Sequence, residues 1–168
     1  MNRWLTRLIG SSNQNNMPEI RPVTKDNWNE LIKLKVRDDQ KNFVASNLYS
    51  IAEAQFEYDY EGHWEFHSFG IFDGVTPVGF LMYGFNFENP TRQAFIFRLM
   101  VDEKFQRKGL GRFGMQKMIE LFRADGRIKE VGISYKPENE VARKLYASLG
   151  FVEPGEMIES EVLAVLKL

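Results

Sequence analysis

The residues best suited to chemistry crowd into one stretch, Arg98-Leu-Met-Val-Asp-Glu-Lys-Phe-Gln-Arg-Lys-Gly-Leu-Gly-Arg-Phe-Gly114. An apolar run, 94–101, enters a short charged turn, passes Gly109 and Gly111, and continues into a helical pattern. Glycine lets backbone approach a ligand closely. The first turn of a helix offers N–H groups without intrahelical partners and the positive end of the helix dipole. Arg107, Lys108 and Arg112 add fixed positive charge. This combination suits a pyrophosphate. A glycine pair at a strand-to-helix turn can also be only a tight turn, so the residues around it must decide.

A Walker loop is excluded, because it would end in Gly-Lys-Ser/Thr, and the bare G-x-G-x-x-G spacing of Gly109-Leu-Gly111-Arg-Phe-Gly114 is by itself a weak dinucleotide signal. The lead-in Gln106-Arg107-Lys108 before Gly109-Leu110-Gly111 instead resembles the Q/R-x-x-G-x-G/A acyl-CoA signature of the GNAT N-acetyltransferase superfamily. A second stretch, Pro137-Glu-Asn139-Glu-Val-Ala142-Arg-Lys-Leu145-Tyr146-Ala-Ser-Leu-Gly150-Phe151, resembles that superfamily's N-x-x-A-x-x-x-Y-x-x-x-G-F motif. The two stand in the family's order over 94–152. The segment Phe43 to Ala54, with Arg98-Leu-Met, is similar to bacterial spermine/spermidine acetyltransferases.

The resemblance implies a mechanism and a set of roles. Strand 94–101 would splay from strand 130–135 and open a V-shaped slot for acetyl-CoA. Backbone groups of Leu99, Met100 and Val101 would pair with the pantetheine amides. Gln106, Arg107, Lys108, Gly109, Leu110, Gly111 and Arg112 would hold the pyrophosphate. Asn139 would bond the pantetheine arm, and Tyr146 would protonate the leaving thiolate. A bulge in the central strand would aim free backbone groups at the acetyl carbonyl, with the Met100 N–H stabilising the oxyanion. Without the motif, Tyr146 would read as a core tyrosine on an amphipathic helix.

An alkylamine near the pKa of lysine, about 10.4, must lose a proton before it attacks. The carboxylate that histone-type relatives carry on the central strand has no counterpart, since 94–101 contains no acid. Glu53 is the expected base, with Glu57, Asp59 and Tyr83 on the acceptor side. The segment 47–61 is acidic and aromatic, with Tyr49, Phe56, Tyr58 and Tyr60. It reads either as a solvated helix and loop or as a mouth that attracts a cation and packs its methylene stem. A polyamine is the leading acceptor. A protein N-terminus, an aminoglycoside, an amino acid, or a non-catalytic acyl-CoA-binding module remain alternatives.

The elements that must position these groups follow from periodicity. A first strand covers 19–23, and Thr24 is a plausible cap for a helix showing Trp28, Leu31, Ile32 and Lys35. Asn42 to Asn47 reads as a loop, and Ser50-Ile-Ala-Glu53 as the capping box of a second helix. Strands at 66–72, 78–85 and 93–101 form a meander around the Asp73-Gly74 turn. A helix follows the glycines and stops at Asp125-Gly126. Then come a strand at 130–135, a helix at 138–149 closed by Gly150, a strand starting at Phe151-Val152, and a last one from Glu161 to Leu168. The predicted class is α/β (α+β): one mixed, mostly antiparallel sheet with helices on both faces.

With 168 residues, 43% hydrophobic and 27% charged, one globular domain is expected. Residues 1–17, with the polar tract Ser11 to Asn16, read as a flexible extension to a domain at 18–168. Net charge −1 gives no reason to expect nucleic acid. The absence of cysteine excludes thiol nucleophiles and Cys-based zinc sites, two histidines are few for a metal, and no metal is expected. No apolar run is long enough for a membrane span, and the cytoplasm is the expected compartment. The apolar Val162-Leu-Ala-Val-Leu166 would suit either a homodimer contact or a buried final strand.

Overall fold

A computed structural model describes residues 17–56 and 63–168. Its seven-stranded sheet has the order β1-β2-β3-β4-β5-β7-β6. In chain order the strands are β1 (Glu19–Pro22), β2 (Glu65–Asp73), β3 (Thr76–Phe85), β4 (Ala94–Val101), β5 (Glu130–Tyr135), β6 (Met157–Ile158) and β7 (Glu161–Lys167). The α-helices among the described residues are α1 (Trp28–Leu31), α2 (Asn47–Glu53), α3 (Leu110–Ala124) and α4 (Glu140–Ser148). The strands β1 to β4 form an antiparallel meander. Strand β5 is parallel to β4, which requires the α3 crossover, and β7 lies antiparallel between β5 and β6. Apart from Met17, the expected extension 1–17 lies outside the described residues.

Strand alternation divides the core into two layers. On one face Leu81, Tyr83, Ile96, Ile133 and Ala164 pack with Met115, Met118 and Phe122 of α3 and with Ala142 and Tyr146 of α4. On the other face Phe80, Met82 and Met100 meet Leu34, Val44 and Ile51. Beside them Trp64, Phe95 and Leu163 pack with Phe66 and Phe97. The apolar pattern of β7 is therefore used inside the sheet, where Leu163, Ala164 and Leu166 are buried. No helix among the described residues is long and apolar enough to cross a membrane.

Three boundaries differ from the sequence reading. The first helix is a single turn beginning after Asn27 rather than Thr24. It stops because the next segment is claimed by β4's end: the Lys35 N–H donates to Asp102 Oδ2 at 2.9 Å, and the Lys35 carbonyl accepts from the Glu103 N–H at 2.7 Å. Helix α2 starts at Asn47, capped by Ser46 Oγ, which accepts from the Tyr49 N–H at 3.2 Å. Ser50 cannot serve as the cap, because it is buried inside the helix and its hydroxyl donates to the Ser46 carbonyl. The segment at Phe151-Val152 makes only an isolated bridge, Val152 to Val165, and the edge strand forms later, at Met157–Ile158.

Candidate active site

Two irregularities in β4 open the site. Met82 pairs with Arg98 while Tyr83 pairs with Ile96, so Phe97 is an extra residue in β4. A bulge of this kind bends a strand and increases its twist. It also flips the alternation: Phe97 packs with the Trp64 layer, and Arg98 reaches α2 on that same face. From there β4 leaves β5, because the two are paired only from Ala94↔Val131 to Ile96↔Ile133. The result is a slot of about 790 Å³. Leu99, Met100 and Val101 line one wall with no strand on their β5 side, and Ile133, Ser134 and Tyr135 line the other.

The loop from β4 to α3 closes one end. Buried Asp102 anchors it, accepting from the amides of Lys35 and Lys104. The Gln106 side-chain amide donates to the Val101 carbonyl at 3.1 Å and to Gln40 Oε1 at 2.7 Å, so Gln106 braces the loop as well as lining the slot. Arg107 and Gly109 both have positive φ, 63° and 78°. Left-handed residues among right-handed ones turn successive N–H groups toward a common point. Gly109 is the N-cap of α3 and supplies no capping side chain. No described residue accepts from the Leu110, Gly111 or Arg112 amides, so these face the slot as donors. Arg107 and Arg112 line the slot, and Arg112 also donates to Ser148 Oγ at 2.7 Å. Lys108 does not line it; its ammonium lies 5.2 Å from the centre of the Phe105 ring.

Helix α4 brings the second motif to the same slot. Asn139 is its N-cap, with Oδ1 accepting from the Ala142 N–H at 3.1 Å, which leaves the side-chain NH2 as the group available to a ligand. At the other end, Phe151 N–H donates to the Tyr146 carbonyl and Gly150 N–H to the Ala147 carbonyl. With Gly150 at φ 94°, this is a Schellman closure, whose outer residue packs on the helix. Here that residue is Phe151, whose ring centre lies 6.0 Å from that of Tyr146. The Gly150-Phe151 pair thus fixes the tyrosine. The Tyr135 ring holds it from the β5 side at 5.5 Å. Burial pushes the Tyr146 phenol well above its ordinary value, with Tyr135 and Glu161 adding to the shift. Tyr135 is itself pushed up to about 12, first by burial and then by its 2.5 Å hydrogen bond to Glu153.

The opposite face of the sheet differs from expectation. The Glu53 carboxylate does not line the slot; it accepts from Arg98 Nη2 at 3.0 Å. Arg98 also donates to Ser50 Oγ at 3.2 Å and to the Phe97 carbonyl at 2.8 Å, tying α2 to the bulge. Glu53 is therefore a clamp on Arg98 rather than a free base. Tyr83 is removed from the site altogether. The pleat of β3 sends it into the α3 layer, with Leu81 and Phe85, fully buried, stacked on Phe69 and edge-on to Phe122. Glu57 and Asp59 lie outside the described residues. Two groups that the sequence reading missed line the slot instead: Arg98 and Glu161, the latter accepting from Ser134 Oγ at 2.6 Å.

The family described as the acetyltransferase (GNAT) family matches residues 28–151, from α1 through the Gly150-Phe151 closure. The chain belongs to the GNAT acetyltransferase family. A spermine/spermidine N(1)-acetyltransferase of Bacillus subtilis is 28% identical over 142 residues, which cover 82% of this chain and 90% of that protein. Among solved structures, a spermidine N-acetyltransferase from Vibrio cholerae, in complex with CoA and spermine, matches with a TM-score of 0.66 at 16% identity. That match covers 92% of this chain and 96% of the other. The ribosomal-protein-S18-alanine N-acetyltransferase of Escherichia coli matches with a TM-score of 0.65 at 20% identity, covering 90% and 94%. These two likenesses are of fold.

As a GNAT acetyltransferase the protein is an acetyl-CoA-dependent acyltransferase. The slot fits that co-substrate on its own features. The open edge of β4 can accept an amide chain as a further strand, and the uncapped amides at Gly109–Arg112 suit a pyrophosphate.

Proposed function

We propose that the protein transfers acetyl from acetyl-CoA to a primary amine of a polyamine such as spermine or spermidine, by direct attack while both substrates are bound. The similarity to the Bacillus spermine/spermidine acetyltransferase, over 90% of that protein's length, carries this reading. The slot agrees with it. On the face away from the phosphate loop its wall is Phe95 and Phe97, against which methylene groups pack well. Tyr49 and Phe56 of the α2 segment are exposed.

In this reading Leu99, Met100 and Val101 hold the pantetheine, and Gln106 to Arg112 and Asn139 hold the rest of CoA, with Lys108 contributing charge from outside the slot. The Met100 N–H meets the oxyanion as the carbonyl is attacked. Tyr146, kept protonated by its burial, gives its proton to the departing thiolate.

The test is the rate of CoA-thiol release with spermine, spermidine, propylamine and a peptide with a free N-terminus, compared as kcat/KM. Polyamines should exceed propylamine by about tenfold or more, since each tenfold needs about 1.4 kcal/mol of added binding. A peptide preferred over both polyamines would sink the polyamine reading and keep the acetyltransferase.

A further inference from the structure

The slot is lined from both faces of the sheet, and the two faces carry different groups. Ile133 and Tyr135 point into the α3–α4 layer, so Ser134 between them points to the opposite face. The same alternation in β7 places Val162 on the α3–α4 layer and Glu161 on the face of Ser134. The phosphate loop lies at the start of α3, so acetyl-CoA enters from that side and an acceptor must come from the other. On that other side, Glu161 is the only carboxylate lining the slot among the described residues.

We propose that Glu161 is the general base that takes the proton from the attacking amine, with Ser134 as its positioning residue. This rests on amine acetylation but not on the amine being a polyamine. The Ser134 hydroxyl donates to Glu161 Oε2 at 2.6 Å and so fixes the carboxylate at the slot wall. The charged and titratable neighbours are Lys136, whose ammonium lies 3.8 Å from Oε1 and also donates to Ser160, and Tyr146, whose proton affinity Glu161 helps to raise. A base on one side and an acid on the other of the same slot is what the reaction needs.

The steps balance. The bound ammonium gives a proton to the Glu161 carboxylate. The freed nitrogen lone pair forms the C–N bond at the thioester carbon while the carbonyl π pair moves to oxygen. That pair returns and the C–S bond breaks. The thiolate takes the phenol proton of Tyr146, the tyrosinate takes back the surplus proton on nitrogen, and Glu161 releases its proton to water. The products are the acetylated amine and CoA.

The experiment is the pH–rate profile of kcat/KM for Glu161→Gln and the parent, on whichever amine of the four-member panel the parent turns over fastest. The parent should level off within the neutral range. The glutamine variant should fall by about a hundredfold at pH 7, and its logarithmic profile should climb with unit slope toward the amine's own pKa of about 10.4, because only free amine then reacts. The acetyl-CoA KM should be unchanged, which a merely structural loss would not allow. Ser134→Ala should reduce kcat by a smaller factor, and Glu161→Asp should keep the parent's plateau. Parallel profiles for parent and Glu161→Gln, or a loss confined to polyamines with propylamine unaffected, would overturn the base role. Failure of the polyamine reading would appear separately, as the parent's preference within the panel.

Discussion

The proposed cofactor end of the slot is made chiefly of backbone and lies within one stretch, Val101 to Arg112, joined by α4. The proposed acceptor end is made of side chains: Arg98, Ser134 and Glu161 line the slot from β4, β5 and β7, and Ser50 and Glu53 of α2 hold Arg98 from behind. The difference has a physical reason. A pyrophosphate can be held by N–H groups whose directions are set by φ and by a helix start, which a local stretch of chain fixes. An acceptor amine is recognised by charge and shape, which must come from side chains and can be rearranged without disturbing the sheet. In the proposed reaction the two ends meet at Tyr146, which lies in the α3–α4 layer and would give its proton to the thiolate that the acceptor displaces.

Tyr146→Phe therefore probes the junction and should give the largest effect outside the base. We expect kcat to fall by about a hundredfold or more, with both KM values within about twofold. The sign of the pH dependence follows from the raised phenol. A group that must donate a proton stays competent as long as it keeps that proton, so the parent should lose no rate to Tyr146 ionisation up to pH ~10, the value of a free tyrosine. A descending limb at or below pH ~10 that vanished in Tyr146→Phe would show that burial does not hold the phenol proton and would break this role. Because the ring is wedged between Tyr135 and Phe151, the Phe variant should fold normally, which thermal melting checks.

A second, smaller effect isolates the cofactor end. A Cβ at Gly109 would meet nothing within 4 Å, so space does not restrict that position. Its φ of 78° does. Gly109→Val should cost about 1–2 kcal/mol of conformational strain, enough for an acetyl-CoA KM about tenfold higher as the amides lose their aim. Gly109→Asn, which tolerates the left-handed region, should suffer less. Acceptor KM should not move in either. Equal losses in Gly109→Val and Gly109→Asn would show that contact, and not backbone conformation, is what Gly109 provides.

The same division explains what could be read in the sequence. The order of elements and the two motifs are legible because each rests on local spacing: glycines at a strand-to-helix turn, a cap, a Gly-Phe closure; the splayed strand pair follows only from the family resemblance that those motifs carry. The acceptor end was not. Strand β3 is buried on both faces from Val78 to Phe85, so its pattern carries no sign of which residue faces which layer, and Tyr83 was assigned to the wrong one. The Phe97 bulge shifts the alternation of β4 by one, and nothing in an apolar run announces it. Glu161 reaches the slot only because β7 inserts between β5 and β6, a pairing that chain order does not dictate. Helix α2 offered two serines, and the one that matched a capping box was the one spent on Arg98.

The smallest effect tests whether the acceptor end is a separate unit at all. Arg98 is partly buried, contacts α2 through Ser50 and Glu53, and holds the carbonyl of the bulged Phe97. Arg98→Met keeps much of the stem but leaves the Glu53 carboxylate without its partner. The loss should be about 1–2 kcal/mol of stability, in the range for a hydrogen bond to a charged group in a site that still sees some water. Function should respond on one side: acceptor KM up by about threefold as α2 loosens (about 0.7 kcal/mol), acetyl-CoA KM unchanged. Adding Glu53→Gln should return part of the stability, because the stranded charge is then removed, and a double-mutant cycle measures how much. If instead acetyl-CoA KM rose as far as acceptor KM, the bulge would be transmitting the Arg98 clamp to the Leu99–Val101 edge. The two ends would then be one site built on a single strand, and the acceptor could not change without altering the grip on CoA.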